Sequence, residues 1–375
     1  MGMMTTRQAV LILGHNDATQ FIDIYNQYTK LFDQTQYQVT VGLLTGEPRP
    51  VTRERLLAEE VIFFNFSKKQ IRGLKLLPLW HLYRLSRQKK FRIVICHRYK
   101  PIYLMMWIAK LIQFEALFAI MHELNTMSSR GRRFLMRLLY RQKKMFFAGV
   151  SDAVRNDLRT ALAFIPQERV ITLYNAMDMS LCEPRLLSRE AARDALSLPS
   201  DAFIFGNIAR LVPNKDQHTL IRAFATLKAT CPQAKLIILG EGALEGALKA
   251  EVAALQLQED ILFTGFLPHA ARYIKAFDCF VLSSVQEAFG RVLLEAMLAK
   301  CPIIATRAHG IPEVMGKQGI LVDPGDMAAL TEAMKQYYHQ SKEALRSTGE
   351  QGYTHLSMQY ALPAFQQQFW QHLNA

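Results

Sequence analysis

The feature that most restricts how this chain of 375 residues folds is an alternation, repeated along its length, of short apolar runs and stretches of helical pattern. In the first half the runs are AVLILG (9–14), YQVTVGLL (37–44), VIFFNF (61–66), RIVICH (92–97), ALFAIMH (116–122) and MFFAGVS (145–151). The second half repeats the plan with FIFGNIA (203–209), KLIILG (235–240), ILFTGF (261–266), CFVLSS (279–284), PIIAT (302–306) and GILV (319–322). Such runs read as strands, and strands alternating with helices imply parallel, doubly wound sheets. The chain is also too long for one ordinary core. The expected fold class is α/β, with two Rossmann-like doubly wound parallel-sheet domains. Open sheets of this kind bind ligands at the carboxyl ends of their strands, so the two domains are expected to face each other across a cleft. Residues 1–177 form the first domain and 178–361 the second. The final helix, 362–375, follows the breaker Pro363 and is expected to cross back to the first domain. The stretch 173–200, with Pro184 and Pro199, reads as the linker plus the first helix of the second domain.

Half of the residues are hydrophobic, which places the chain among globular proteins. Five scattered cysteines (Cys96, Cys182, Cys231, Cys279, Cys301) without CxxC spacing argue against a disulfide frame or a zinc site and suit a reducing compartment. The N-terminal MGMMTTRQAVLILG reads as a strand rather than a signal peptide. The longest apolar region, 102–121, is broken by Lys110, Gln113 and Glu115, so no membrane-spanning helix is expected. A cytoplasmic protein is the resulting expectation. The net charge of +13 is uneven: residues 1–175 carry 27 Lys+Arg against 12 Asp+Glu, and residues 176–375 carry 18 against 20. A basic first half points to a polyanionic partner: anionic lipid, phosphorylated glycan or nucleic acid. The segment RGRRFLMRLLYRQKK (130–144) sets Phe134, Leu135, Leu138 and Leu139 at helical spacing among arginines. That pattern predicts one apolar and one basic face, as in a helix lying on the inner face of an anionic membrane. An ordinary surface helix docked on its own core fits the pattern equally well.

The chemistry concentrates in SSVQEAFGRVLLEAMLA (283–299). A buried strand precedes it, the turn Ala288-Phe289-Gly290 interrupts it, and Arg291 to Leu298 reads as a helix rich in Leu, Glu, Ala and Met. A strand, a glycine turn and a helix N-terminus together make an anion site, because free N–H groups and the helix dipole converge there. Glu287 is expected at its mouth and Glu295 about two turns down one wall. Further strand ends add Arg210 and Lys215, suited to a diphosphate leaving group. They also add Gly240-Glu241-Gly242, expected to let a ligand approach the backbone.

These elements resemble retaining family-4 glycosyltransferases of the GT-B fold, of the bacterial cell-surface glycan or lipopolysaccharide type. The resemblance rests on ARLVPNKDQHTLIRAF, IILGEGAL, LFTGFLP, SSVQEAFGRVLLEAM, and ATRAHGIPEVM followed by LVDPGD. It is strong over 203–326 and present over 120–178, in MHELN and VSDAVRNDL…LYNAMD. It implies a nucleoside-diphosphate sugar donor held mostly by the second domain, and a glycan or lipid-linked acceptor held by the first. It further implies that Arg210 and Lys215 bind the donor diphosphate, Glu287 the sugar hydroxyls and Glu295 the ribose. Phe289 and Gly290 would offer backbone N–H, with Arg291 beside them, and Gly240 and Gly242 would line the donor site. Gly14 would approach the donor phosphates, although His15 stands where the family commonly has a second glycine. His122 would lie near the reacting sugar. Its bland alternative is a strand-end histidine satisfied by a backbone partner.

Hydrolysis is disfavoured by spacing. Paired glycosidase carboxyls stand about 5–9.5 Å apart. Eight residues of helix between Glu287 and Glu295 would rise about 12 Å. No DxD-like metal site adjoins the proposed diphosphate pocket, so neither a metal nor another cofactor is required by this reading. A nicotinamide oxidoreductase would want GxGxxG after the first strand, which Gly14-His15-Asn16-Asp17 lacks. A nucleotide-sugar epimerase of the same architecture remains as an alternative. So does a basic nucleic-acid-binding protein, but no reading motif supports it and nucleic acid is not an expected partner.

Overall fold

The computed structural model describes residues 7–72, 75–140 and 144–374. It divides into two compact units, Met1–Ala176 with Leu362–Ala375, and Met177–Ala361. The first unit is built on strands β1 (Gln8–Gly14), β2 (Tyr37–Leu43), β3 (Glu60–Phe63), β4 (Ile93–His97), β5 (Ala116–Met121), β6 (Met145–Gly149) and β7 (Val170–Thr172). All pair in parallel, in the order β3-β2-β1-β4-β5-β6-β7. The second unit has β8 (Phe203–Ile208), β9 (Ala234–Leu239), β10 (Ile261–Gly265), β11 (Cys279–Leu282), β12 (Ile303–Thr306) and β13 (Ile320–Val322), again parallel, in the order β10-β9-β8-β11-β12-β13. Every apolar run singled out in the sequence is one of these strands. The three-residue β7 was not among them, being too short to show a period. In each sheet the strand order reverses between neighbours far apart in sequence, β1 with β4 and β8 with β11. Loops diverge at such a point and leave a crevice beyond the strand ends.

Burial explains the apolar runs. β4 and β5 are buried at every residue, as strands covered on both faces must be, while the edge strand β3 is only half-buried. The helix Leu362–Asn374 belongs to the first unit. Its buried residues Phe365, Phe369 and Leu373 recur every fourth position and so lie along one face. The Phe369 ring lies 4.7 Å from that of Phe118, and Phe365 lies 5.0 Å from Tyr28. Pro363 sits in the first turn, where no backbone N–H bond is lost.

The stretch 173–200 is more firmly held than a linker. It carries the short helices Met179–Cys182 and Arg189–Ala195. The buried guanidinium of Arg193 donates to the carbonyls of Ala276 (3.0 Å), Pro199 (2.9 Å) and Ser200 (2.7 Å) and pairs with Asp278 at 2.7 Å. The helix Arg130–Leu139 corrects another expectation. Its apolar residues do not share one face: Met136 and Leu139 are buried, whereas Phe134 (67%) and Leu138 (52%) are exposed. Packing of a narrow inner stripe onto the first unit leaves these two outside, among arginines. Arg141, Gln142 and Lys143 of the basic segment 130–144, and Gly73 and Leu74 within the basic stretch 67–75, lie outside the described residues.

Candidate functional site

In the second unit the loops after β8 and β11, the two strands at the reversal, are stitched together. The Val285 N–H donates to the Asn214 carbonyl at 3.0 Å, the Asn214 amide to Gln286 O at 3.2 Å, and the Ser283 hydroxyl to Lys215 O at 2.9 Å. This framework brings Lys215, at the end of the turn Pro213–Lys215, against Glu287, and the two form an ion pair. Their side chains keep only 15% and 17% of their exposure, so each charge is largely out of water and depends on the other. Arg210 follows β8 and is exposed, with its carbonyl accepting from the buried Gln217 side chain at 3.1 Å.

Beyond Glu287 the chain turns at Phe289-Gly290. Gly290 has φ +86°, a conformation costly for any residue with a Cβ, and it opens the helix Arg291–Leu298. The Glu287 carbonyl accepts from Gly310 N–H at 3.0 Å, which ties this turn to the loop after β12. Phe289 is buried, its ring edge-on to Tyr360 at 5.7 Å. Arg291 and Glu295 are half-buried on the helix. Because the helix starts only at Arg291, four residues of helix and not eight separate its start from Glu295, a rise of about 6 Å. Glu295 therefore lies about one turn in. Glu287 and Glu295 are thus not separated by the roughly 12 Å rise of a continuous helix, and Glu287 is instead engaged by Lys215.

The Gly240-Glu241-Gly242 turn packs against the loop after β8. Gly240 has φ +143°, and a Cβ there would stand 2.0 Å from Ala209 O; one on Gly242 would stand 2.3 Å from Leu211 O. It is the protein's own backbone after β8 that approaches these glycines. They seat the loop bearing Arg210.

The first unit gathers a second cluster at the ends of β1, β4 and β5. Gly14 ends β1, close under the Tyr25 ring. The His15 carbonyl that follows accepts from the Thr45 N–H (2.9 Å) and hydroxyl (2.8 Å). His122, just past β5, lies 3.0 Å from Nδ1 of the fully buried His97, ring nitrogen to ring nitrogen. Burial, and then the neighbouring His122, hold His97 well below the ordinary histidine pKa. Burial, Lys100 and Arg98 lower His15 to about 4, so both rings are neutral near pH 7. A cavity of about 340 Å³ opens here, lined by His15, His122, Arg98, Lys100, Arg132 and their neighbours. His97, Arg98 and Lys100 lie in VICHRYKPIYL (94–104), a stretch whose charge suits a negatively charged, membrane-associated acceptor, and Arg132 lies in the basic segment 130–144, but sequence reasoning named none of them individually as a site residue. A polar residue closing the apolar run RIVICH, followed directly by Arg-Tyr-Lys, was the available signal. Among the described residues no group of three or more His, Cys, Asp and Glu is placed to hold a metal ion.

Two parallel sheets, each reversing strand order and each carrying polar residues at that crevice, define the chain as an α/β protein of two Rossmann-like units. Two family models match in succession: "Glycosyltransferase Family 4" over residues 29–181 and "Glycosyl transferases group 1" over residues 188–355. The chain belongs to the family-4 glycosyltransferases of the GT-B fold. It is 30% identical, over 58% of its length and 57% of the relative's, to the N-acetylgalactosamine-N,N'-diacetylbacillosaminyl-diphospho-undecaprenol 4-alpha-N-acetylgalactosaminyltransferase of Campylobacter jejuni. It is 33% identical, over 38% of its length and 42% of the relative's, to the lipopolysaccharide core biosynthesis glycosyltransferase LpsE of Rhizobium meliloti. The chain spans about half the length of the curated relatives it matches. Among solved structures it is similar to Anabaena Alr3699/HepE in complex with UDP, with a TM-score of 0.82 and 19% identity over 98% of this chain and 100% of that one.

Proposed function

We propose that the protein transfers a hexose-type sugar from a nucleoside-diphosphate sugar to a glycan or lipid-linked acceptor, with retention of anomeric configuration, in the assembly of a cell-envelope glycan such as a lipopolysaccharide core. The observation that carries this reading is the Lys215–Glu287 pair at the reversal of the second sheet, beside the Gly290 turn that opens a helix. Departure of a nucleoside diphosphate develops negative charge on its phosphates. Fixed cations near that charge lower the barrier most where water is scarce. Arg210 and Lys215 would supply them, with the N–H groups at Phe289-Gly290-Arg291. Glu287 would orient Lys215 and accept from sugar hydroxyls, Glu295 would take the ribose, and Gly240 and Gly242 would shape the wall indirectly, through the Arg210 loop. In the first unit, Gly14 and His122 would border the reacting sugar. This chemistry needs no metal, because cationic side chains do the electrostatic work.

The names of the two relatives support a sugar donor and, for the Campylobacter enzyme, a diphospho-undecaprenol acceptor. Among the described residues no helix is long and apolar enough to cross a membrane. We place the protein in the cytoplasm, touching the inner face of the membrane through the helix Arg130–Leu139. Exposed Phe134 and Leu138 beside exposed arginines support that contact. The test is a thermal-shift screen of uridine, guanosine, adenosine, cytidine and thymidine diphosphates, followed by product analysis with the matching sugar nucleotides. One diphosphate should raise the melting temperature in a concentration-dependent way. If all five fail, the donor site is wrongly assigned. If the product's anomeric configuration is inverted, the retaining mechanism is wrong.

A further inference from the structure

The cavity at the ends of β1, β4 and β5 is far more basic than sugar recognition requires. Arg98, Lys100 and Arg132 all line it, and among the described residues that line it Glu123 is the one acid. Glu123 pairs with Arg98 at 3.3 Å from a side chain that is 67% exposed, so it neutralises little of the interior. Arg72 and Lys75 stand near enough to add to the crowding. Burial, Arg72, Lys75 and Arg98 all depress the pKa of the Lys100 ammonium, the signature of a cation among cations. Nδ1 of His15, on the same wall, is buried without a hydrogen-bond partner.

The cations are also held in place. The Arg98 guanidinium lies over the Phe21 ring at 5.2 Å, and that of Arg132 lies over Tyr99 at 4.6 Å while donating to Thr126 O at 2.7 Å. Arg98 itself has φ +73° and ψ +161°, a backbone region that residues other than glycine rarely occupy. Strain of this kind persists where the surroundings fix it and clusters at ligand sites. The helix Tyr99–Ile108 begins at the same point, so its first N–H groups add to the positive potential.

We propose that this first-unit cavity is an acceptor subsite for a phosphoryl group, with Arg98, Lys100 and Arg132 as its ligands, so that the acceptor carries a phosphate. The inference deepens the transferase reading and rests on it for the word acceptor. The phosphate could belong to a phosphorylated sugar or to the diphosphate of an isoprenoid lipid. The recognising chemistry is shared: planar guanidinium forks and an ammonium around phosphoryl oxygens.

The experiment is isothermal titration calorimetry of the full chain with glucose 6-phosphate and, separately, farnesyl diphosphate. Both titrations are run in the presence of a saturating amount of the nucleoside diphosphate that stabilises the protein. At least one probe should bind, and the tighter one names the source. Lys100→Gln and Arg132→Gln should each weaken that probe by roughly tenfold to a hundredfold, the loss of one charge-assisted contact. Arg87→Gln, which removes an exposed charge elsewhere on the first unit, should leave probe binding unchanged. Unchanged nucleotide-induced stabilisation would show that the variants are folded. No binding of either probe to a protein that still binds nucleotide would overturn the subsite and leave the transferase reading standing. Equal weakening by all three substitutions would reduce the effect to net charge and would also overturn it. If no nucleotide binds, the donor assignment fails separately, and the same titrations without nucleotide still decide the subsite.

Discussion

A double-mutant cycle on Lys215 and Glu287 tests the centre of the proposed donor site. Their side chains retain about a sixth of their exposure, 15% and 17%, so the pair lies between two limits. Fully exposed pairs are worth about 0.2–1 kcal/mol, and breaking a fully buried pair costs about 3–5 kcal/mol. Lys215→Met or Glu287→Gln alone should therefore cost about 2–3 kcal/mol. The double substitution should cost less than the sum, with a coupling energy of about 1–2 kcal/mol. For a unit of about 150–250 residues, each kcal/mol corresponds to about 2–4 °C, so either single variant should melt about 4–12 °C lower. Differential scanning calorimetry of the full chain is the assay, read on the transition that the bound nucleotide shifts. The pair also makes an asymmetric prediction for ligand binding. Lys215→Met should weaken nucleoside diphosphate binding about tenfold or more, by loss of a charge-assisted contact. Glu287→Gln should leave that binding intact or tighten it, because the ammonium loses a competing anion, while turnover falls. Additive stabilities within about 0.5 kcal/mol, or equal losses of affinity in both variants, would refute the reasoning.

Three further outcomes follow from the same geometry. Gly240→Ala should destabilise the second unit by about 2–5 kcal/mol in chemical denaturation, since a Cβ would strike Ala209 O at a positive φ, whereas Gly246→Ala, with nothing within 4 Å, should stabilise by about 0.4–1 kcal/mol. Stability of the first unit should fall as pH drops from about 6.5 toward 4: His15 and His97 are held neutral in the folded state, so the unfolded chain binds more protons in that window, and stability present above it is lost below. Allowing for the partial exposure of His15, its share is about 1–2 kcal/mol, and His15→Asn should flatten the profile measured by urea titration at stepped pH. Transferase activity should survive EDTA, and complete loss restored by Mg²⁺ or Mn²⁺ would count against cationic side chains as the electrostatic device.

What was legible in the sequence was whatever depends on neighbours along the chain. The run from Arg291 to Leu298 is a helix because Leu, Glu, Ala and Met favour one and Gly290 starts it. The strands were readable because a parallel sheet covered on both faces needs unbroken apolar residues, as in β4 and β5. Contacts made across strand neighbours were not legible. Lys215 meets Glu287 across 72 residues only because β8 lies beside β11, and His97 meets His122 across 25 only because β4 lies beside β5. The periodicity of Arg130–Leu139 showed apolar residues at helical spacing. Which of them face inward was decided by the surface beneath, and Phe134 and Leu138 lost. The close packing of Gly240 against Ala209, in the loop after β8, was likewise not legible from the turn's own residues.

The position of the helix Leu362–Asn374 sets the order in which a growing chain becomes complete. The first unit is begun at the N-terminus, yet the rings of Tyr28, Phe32 and Phe118 acquire their partners Phe365 and Phe369 only after the whole second unit has been translated. At a synthesis rate of about 5–20 residues per second, the roughly 185 intervening residues impose a delay of about 10–40 s. Through that interval the aromatic rings of the older unit lack the helix that packs against them in the finished protein.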